Sequence, residues 1–274
     1  MSRNARSALF VPGDRPERFS KAFASGADQI IIDLEDAVDE FSKAQAQDNI
    51  ADFAQQHPEQ HILVRINASD HPQHDADLAL CKSCPGITGI LLPKAESTEQ
   101  LAHAAQADKP IWPIIESAQG LANIASLVLV ANVERLCLGT VDLSLDMNLG
   151  EGPAAEVILD QARYNLLVQS RANGLAAPLD GGFVRLDDNV GLADAAKRSQ
   201  AMGFSGMLCL HPKQIPIIHQ AWEPTAEALA WAKRVVMAAN QSKEGAFQLN
   251  GQMIDAPVLA RAQKLLALAK GDIT

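Results

Sequence analysis

Short runs of β-forming residues recur eight times before residue 222, and this rhythm constrains the fold more than any other feature. They fall at Ala8–Val11, Gln29–Leu34, Ile62–Ile66, Gly89–Leu92, Ile111–Ile115, Arg135–Leu138, Ala176–Leu179 and Gly206–Leu210. Several are continuously apolar, as parallel strands buried on both faces require. The segments between them are long enough for helices, and some helix starts are marked. Asp14-Arg15-Pro16-Glu17 offers an N-cap, a proline in the first turn and a glutamate at the third position. Ser97-Thr98-Glu99-Gln100 reads as a capping box, and Leu121, Ile124, Ala125 and Val128 share one helical face. Eight strand–helix units in this span predict a TIM (β/α)8 barrel over residues 1–222. A doubly wound open sheet fits less well, because no G-x-G-x-x-G follows the first run.

Composition sets the class. A chain of 274 residues with 47% hydrophobic and 20% charged residues can bury a sizeable core. Its 23 basic and 33 acidic residues give a net charge of −10, which argues against a nucleic-acid surface but allows a local positive pocket for an anion. No apolar run reaches the roughly 18 residues of a membrane helix. No apolar segment follows Met1-Ser2-Arg3-Asn4-Ala5-Arg6, so a secretion signal is not expected. Four cysteines do not make a disulfide framework, and Cys81-Lys82-Ser83-Cys84 has no second pair to complete a zinc site. Cys137 and Cys209 lie inside apolar runs and read as core residues. The expectation is a cytoplasmic protein that binds neither nucleic acid nor membrane.

Residues 223–274 read as an appendage, a C-terminal extension rather than an independent domain. Glu223–Ala239 has helical spacing, Ala246–Leu249 and Gln252–Ile254 flank the hairpin signal Asn250-Gly251, and Asp255–Lys270 is a final helix. In that helix Val258, Leu259, Ala262, Leu265, Leu266 and Ala269 form an apolar stripe, expected to pack on the barrel or on another subunit.

In a TIM barrel the chemistry sits at the C-terminal ends of the strands. The second run ends in Asp33-Leu34-Glu35-Asp36, the third in Val64-Arg65-Ile66-Asn67 and the fourth in Pro93-Lys94. The fifth ends in Glu116-Ser117 and the sixth leads to Asp142. Two hard carboxylates with room for water suit Mg²⁺, and an arginine can grip a substrate carboxylate at two points. Spacing alone leaves plainer readings open. Arg65 could be an ordinary ion pair, Glu116 a helix cap, Asp142 a turn or cap residue, and Asp255, before Ala256-Pro257, a helix N-cap. His211-Pro212-Lys213-Gln214 follows the eighth run, where such barrels often bind phosphate, and is equally readable as a plain loop. His57, His61, His71, His74 and His103 are scattered, with no H-E-x-x-H among them.

Eight strings occur in an order that carries more than any one of them. They are S-A-L-F-V-P-G (Ser7–Gly13), D-L-E-D-A-V (Asp33–Val38), V-R-I-N (Val64–Asn67), L-P-K-A-E (Leu92–Glu96), P-I-I-E-S (Pro113–Ser117), L-G-T-V-D-L (Leu138–Leu143), H-P-K-Q (His211–Gln214) and G-Q-M-I-D-A-P (Gly251–Pro257). With them the chain resembles the citrate lyase β-subunit-like branch of the HpcH/HpaI aldolase superfamily over nearly its whole length. The resemblance implies a Mg²⁺-dependent carbon–carbon lyase, with Mn²⁺ as a substitute. Its substrate would be a citryl-, malyl- or citramalyl-type thioester, split into an acyl-CoA and a 2-oxo acid such as oxaloacetate, pyruvate or glyoxylate. It implies Glu116 and Asp142 as metal ligands, and Arg65 with Glu116 as substrate-binding residues. Glu35 and Asp36 would form an acidic pair beside the metal's water shell. Asp255 would be an acid/base on a C-terminal lid reaching a neighbouring subunit's site, in a trimer or a multiple of three. The acceptor of the hydroxyl proton stays open between Glu35, Arg65 and a metal-held water, and Lys94, with no Schiff base required, reads as structural or electrostatic. Rival readings are a citrate lyase β subunit using a carrier-protein thioester, a malate-synthase- or thioesterase-like enzyme, and a non-catalytic CoA- or oxo-acid-binding barrel.

Overall fold

The computed structural model describes residues 5–242 and 245–270; Met1–Asn4 lie outside it. Strands and helices alternate as β1 (Ser7–Pro12), α1 (Phe19–Phe23), β2 (Gln29–Asp33), α2 (Lys43–Gln56), β3 (Ile62–Arg65), α3 (His74–Ser83), β4 (Ile87–Leu92), α4 (Thr98–Ala104), β5 (Ile111–Ile115) and α5 (Ala118–Leu127). They continue as β6 (Arg135–Leu138), α6 (Thr140–Asp146), α7 (Pro153–Ala172), β7 (Ala176–Asp180), α8 (Asn189–Met202), β8 (Gly206–Cys209) and α9 (Gln214–Trp222). Each strand pairs in parallel with the next, and β8 returns to β1, closing a barrel in sequential order. All eight runs expected from the sequence are strands, with ends shifted by a residue or two.

The closure has one apolar interior. Ala8, Ile31, Leu63, Leu91, Trp112, Ile114, Cys137, Leu179 and Leu208 form a single buried cluster to which every strand contributes. Side chains alternate along a strand, so these residues point inward and their immediate neighbours point toward the helices. Apart from Ser7 and Asp180 the outward neighbours are apolar too, and β5, β6 and β8 are buried along their full length. That double burial is why these runs show no polar alternation.

Helix starts were partly legible. Ser97 and Gln100 make both bonds of the capping box, Gln100 N donating to Ser97 Oγ and Ser97 N to Gln100 Oε1. The expected cap at Asp14 is not made. Pro16 instead opens a short 3-10 turn, Pro16–Arg18, without a side-chain cap, and the helix begins at Phe19. On α5, Ile124 and Val128 are buried, whereas Ala125 faces solvent. Among the described residues no helix is long and apolar enough to cross a membrane.

The chain separates into two compact units between Ala221 and Trp222. The second contains α10 (Ala226–Gln241), the hairpin β9 (Phe247–Leu249) and β10 (Gln252–Ile254), and α11 (Ala256–Lys270). Asn250 and Gly251 both have positive φ, 50° and 82°, as a two-residue hairpin turn of the I′ kind needs. The apolar stripe of α11 finds its partner inside this unit, contrary to expectation. Val258, Leu259, Ala262, Leu265 and Leu266 pack with Ala232, Val235, Val236 and Trp231 of α10 and with Phe247, Leu249 and Ile254 of the hairpin. The side chain of Ala269 lies outside the described residues. The hairpin reverses the chain, so α11 folds back on α10; Ala232, Val235, Ile254 and Ala262 are buried between them and the other apolar residues are partly buried.

Barrel closure can be probed at Gly206, where an added Cβ would meet the backbone carbonyl oxygens of Ala5 and Arg6. Backbone cannot step aside as a flexible side chain can. Gly206→Ala is expected to lower stability by about 1–3 kcal/mol, measured as a reduced urea midpoint with an unchanged slope.

Candidate active site

Two residues beyond the apolar layer, toward the C-terminal rim, the inward positions change character. From Ala8, Ile31, Leu63, Ile114 and Cys137 this step reaches Phe10, Asp33, Arg65, Glu116 and Gly139. The floor of the rim is therefore charged because the strands switch from apolar to polar residues at the same height.

Asp33 and Arg65 are register partners on β2 and β3. Arg65 Nε donates to Asp33 Oδ1 at 2.7 Å and its NH2 to Oδ2 at 2.6 Å, a two-point ion pair. Asp33 is fully buried and also accepts the backbone N–H groups of Glu35 and Ala37 at 3.0 and 3.2 Å. One carboxylate thus orients the arginine and fixes the loop that carries Glu35 and Asp36. The Phe10 ring lies 4.8 Å from the guanidinium carbon. Burial opposes the charge on Arg65, but Asp33, Glu35 and Asp36 outweigh it and hold the guanidinium firmly protonated. Its outer nitrogen, NH1, faces Glu35 Oε2 at 3.0 Å and Asp36 Oδ2 at 3.5 Å. The expected two-point grip on a substrate is thereby corrected in part: the Nε–NH2 edge belongs to Asp33, and only the NH1 side faces the rim.

Glu116 stands across the rim. Ser117, not Glu116, caps α5, its Oγ accepting Gly120 N at 3.1 Å, so the carboxylate of Glu116 is free for other work. Its Oε1 accepts the backbone N–H of Lys94 at 2.7 Å. Gly139 gives it space: a Cβ there would lie 2.5 Å from both Glu116 Cβ and Oε2. Burial, helped by the nearby charges of Glu35 and Asp142, pushes the Glu116 carboxyl up to about 8, against the Lys94 N–H and Arg65. Asp142 lies in the first turn of α6, where Gly139 is the cap position, so its carboxylate does not cap that helix. A nearby cation would reverse the penalty that buried, mutually repelling carboxylates impose.

Lys94 joins the two sides. It has φ +48°, and its Nζ donates to Glu35 Oε1 at 3.0 Å. Glu35 Oε2 is buried and, despite lying near Arg65, has no hydrogen bond. Lys43, at the start of α2, buries its ammonium under the same loop and donates to the carbonyls of Leu34 and Glu35 at 2.9 and 3.1 Å. Sequence alone gives no site role to Asp33 or Lys43, and the structural or electrostatic reading of Lys94 agrees with its ion pair to Glu35. Asp33 had a usable signal, since it falls two residues after the inward Ile31.

The rim thus gathers Glu35, Asp36, Arg65, Glu116 and Asp142 from the ends of β2, β3, β5 and β6. Its donors are all hard oxygens, the kind Mg²⁺ takes, with one or two carboxylates and the remaining positions left to water and substrate. Among the described residues no three His, Cys, Asp or Glu side chains converge as a ready-made metal cage. A two-carboxylate site is therefore what this rim fits. His211-Pro212-Lys213-Gln214 is a self-bonded turn: Gln214 Oε1 accepts Leu210 N and His211 N, and His211 Nδ1 accepts Lys213 N. Asp255 belongs to the second unit, where its Oδ1 accepts Val258 N at 3.2 Å and caps α11.

The sequence matches the family model of the HpcH/HpaI aldolase/citrate lyase family over residues 6–212. The citrate lyase subunit beta-like protein of Mycobacterium tuberculosis is 37% identical over 265 residues, spanning 95% of this chain and 94% of that protein. The mitochondrial citramalyl-CoA lyase of Rattus norvegicus is 28% identical, spanning 96% of this chain and 86% of that protein. The crystal structure of CitE from Mycobacterium tuberculosis in complex with magnesium, acetoacetate and coenzyme A aligns with a TM-score of 0.86 and 34% identity, covering 97% of this chain and 98% of that one. With eight parallel strands closed in order and a carboxylate–arginine rim at their C-terminal ends, this chain belongs to the HpcH/HpaI aldolase/citrate lyase family.

Proposed function

We propose that the chain is a Mg²⁺-dependent lyase that cleaves a β-hydroxyacyl-CoA of the citramalyl, malyl or citryl type. The products are an acyl-CoA and a 2-oxo acid. The observation that carries this reading is the buried carboxylate of Glu116, near Asp142, facing an arginine that Asp33 has already oriented. The magnesium, coenzyme A and acetoacetate of the CitE complex support the same chemistry. The cytoplasm is its proposed place of action, and a trimer or a multiple of three its proposed assembly.

Glu116 and Asp142 would hold Mg²⁺, which supplies Lewis-acid stabilisation of the charge that develops on the oxygen of the departing oxo acid. Arg65 meets the oxo-acid carboxylate with its NH1 side, and Asp33 prevents the guanidinium from turning. Glu35 and Asp36 flank that contact and offer oxygens to ordered water. Asp255 protonates the carbon of the thioester enolate during cleavage, or removes that proton in the condensation direction. Its capping bond to Val258 uses only Oδ1, so Oδ2 remains for this work.

A panel of citramalyl-, malyl- and citryl-CoA, assayed separately for oxo acid and for free CoA, tests the function. Stoichiometric oxo acid and acyl-CoA are expected with Mg²⁺ present. Free CoA without carbon–carbon cleavage would make the chain a thioesterase instead.

Glu116→Gln and Asp142→Asn are each expected to lower kcat/KM by about 100-fold or more with the thermal midpoint nearly unchanged. Near-normal turnover by both variants would remove the metal pair from the mechanism. Arg65→Lys should lose about 100-fold as well, because an ammonium cannot keep Asp33 and a substrate carboxylate in planar register together.

Asp255 allows a test by complementation. Glu116→Gln and Asp255→Asn proteins, each inactive, are mixed under conditions in which subunits exchange. Activity should return if Asp255 serves a neighbour's rim. Proven exchange without recovery would confine it to its own barrel or to its cap.

A further inference from the structure

Lys94 is in a conformation its residue type does not favour. Its φ of +48° places a lysine in the left-handed region, where glycine or asparagine would sit with less strain. The turn alone does not explain the residue, so the reason lies in what its side chain does. That conformation lets one residue serve two carboxylates: its N–H goes to Glu116 Oε1 at 2.7 Å and its Nζ to Glu35 Oε1 at 3.0 Å.

Glu35 needs such a restraint. Its side chain is almost buried, it feels the charge of Glu116, and its Oε2 carries no hydrogen bond. Lys43 holds only its backbone carbonyl. Two cations therefore hold its carboxylate among the described residues: Arg65 NH1 as an ion pair at Oε2, 3.0 Å away, and Lys94 Nζ by a hydrogen bond at Oε1. A divalent cation between Glu116 and Asp142 would attract this third carboxylate, and Arg65, which also faces substrate, cannot be its sole restraint. Were Glu35 to bind it directly, it would occupy a position that water or the oxo acid requires.

We propose that Lys94 is a positioning residue whose ammonium holds Glu35 away from the Glu116–Asp142 pair, keeping a coordination position open for the oxo acid. This rests on the lyase reading of the same rim. The ammonium acts as a tether: half of the Lys94 side chain is exposed, so it reaches in from the rim to a carboxylate that is itself buried.

The test compares wild type, Lys94→Gly, Lys94→Arg and the double variant Lys94→Gly/Glu35→Gln. Glycine keeps the N–H to Glu116 and suits the positive φ, so the thermal midpoint of Lys94→Gly should not fall. Calorimetric titration of the metal-free proteins with Mg²⁺ should give binding about threefold or more tighter in Lys94→Gly. Pyruvate titrated into the same Mg²⁺-loaded variant should bind about fivefold or more weaker. Lys94→Arg should stay near wild type, and removing the Glu35 charge in the double variant should restore both affinities. Wild-type affinities in Lys94→Gly, weaker Mg²⁺ binding there, or defects that persist in the double variant would each overturn the proposal. A wild-type protein that fails to bind Mg²⁺ would overturn the lyase reading together with it.

Discussion

The site hangs on one buried carboxylate. Asp33 accepts two bonds from Arg65 and two from the backbone of the loop that follows it, so every lone-pair direction of the ion is used inside the protein. Such completeness is what makes a fully buried charge tolerable. Removing Arg65 would leave Asp33 buried, charged and without its counter-ion, a loss of about 3–5 kcal/mol. The pair also transmits order. β2 and β3 are in register at this level, so the same contact that seals the barrel's upper layer sets the direction of the guanidinium and the path of the Glu35–Asp36 loop.

Charge balance around this anchor explains why the rim calls for a cation. Asp33, Glu35, Asp36, Glu116 and Asp142 bring five negative charges when ionised, whereas Arg65, Lys94 and Lys43 bring three positive ones. The deficit equals the charge of one divalent ion. Burial and the neighbouring carboxylates raise both Glu35 and Glu116 above their ordinary values. The cations are not interchangeable. Arg65 turns its NH1 side to the rim, Lys43 is locked on carbonyl oxygens, and Lys94 spans two carboxylates from a left-handed turn.

Much of the architecture was legible because strand burial leaves a strong trace in composition. Runs such as Ile111–Ile115 read as strands, and the last polar residues after them read as the rim, since nothing polar is tolerated one layer deeper. The Asn250-Gly251 turn was legible for the same local reason, a pair of positive φ values that few residues accept. What stayed hidden depends on contacts made far along the chain. Lys43 reads as an ordinary helix-start lysine until the loop above it folds over its ammonium. The apolar stripe of α11 says that a partner is needed and not which one, and α10 with the hairpin supplies it. Asp14 shows the opposite failure: a suitable cap residue loses to a proline that tightens the next turn into a 3-10 form.

Space matters at this rim as much as charge. Glu116 can turn inward only because the neighbouring strand offers Gly139 at the same height, where a methyl group would occupy the position of the carboxylate. Gly181, next round the barrel, likewise has Thr140 packed where its Cβ would be. Both glycines have negative φ, so neither is there for backbone freedom. They are gaps in the inward layer, and the chain fills one with an acid and the other with the residue that opens α6. Asp142 follows two residues later, on the first turn of that helix, close enough for its charge to raise Glu116. The placement of Glu116 and Asp142 is thus set by two absent side chains as firmly as Arg65 is set by Asp33.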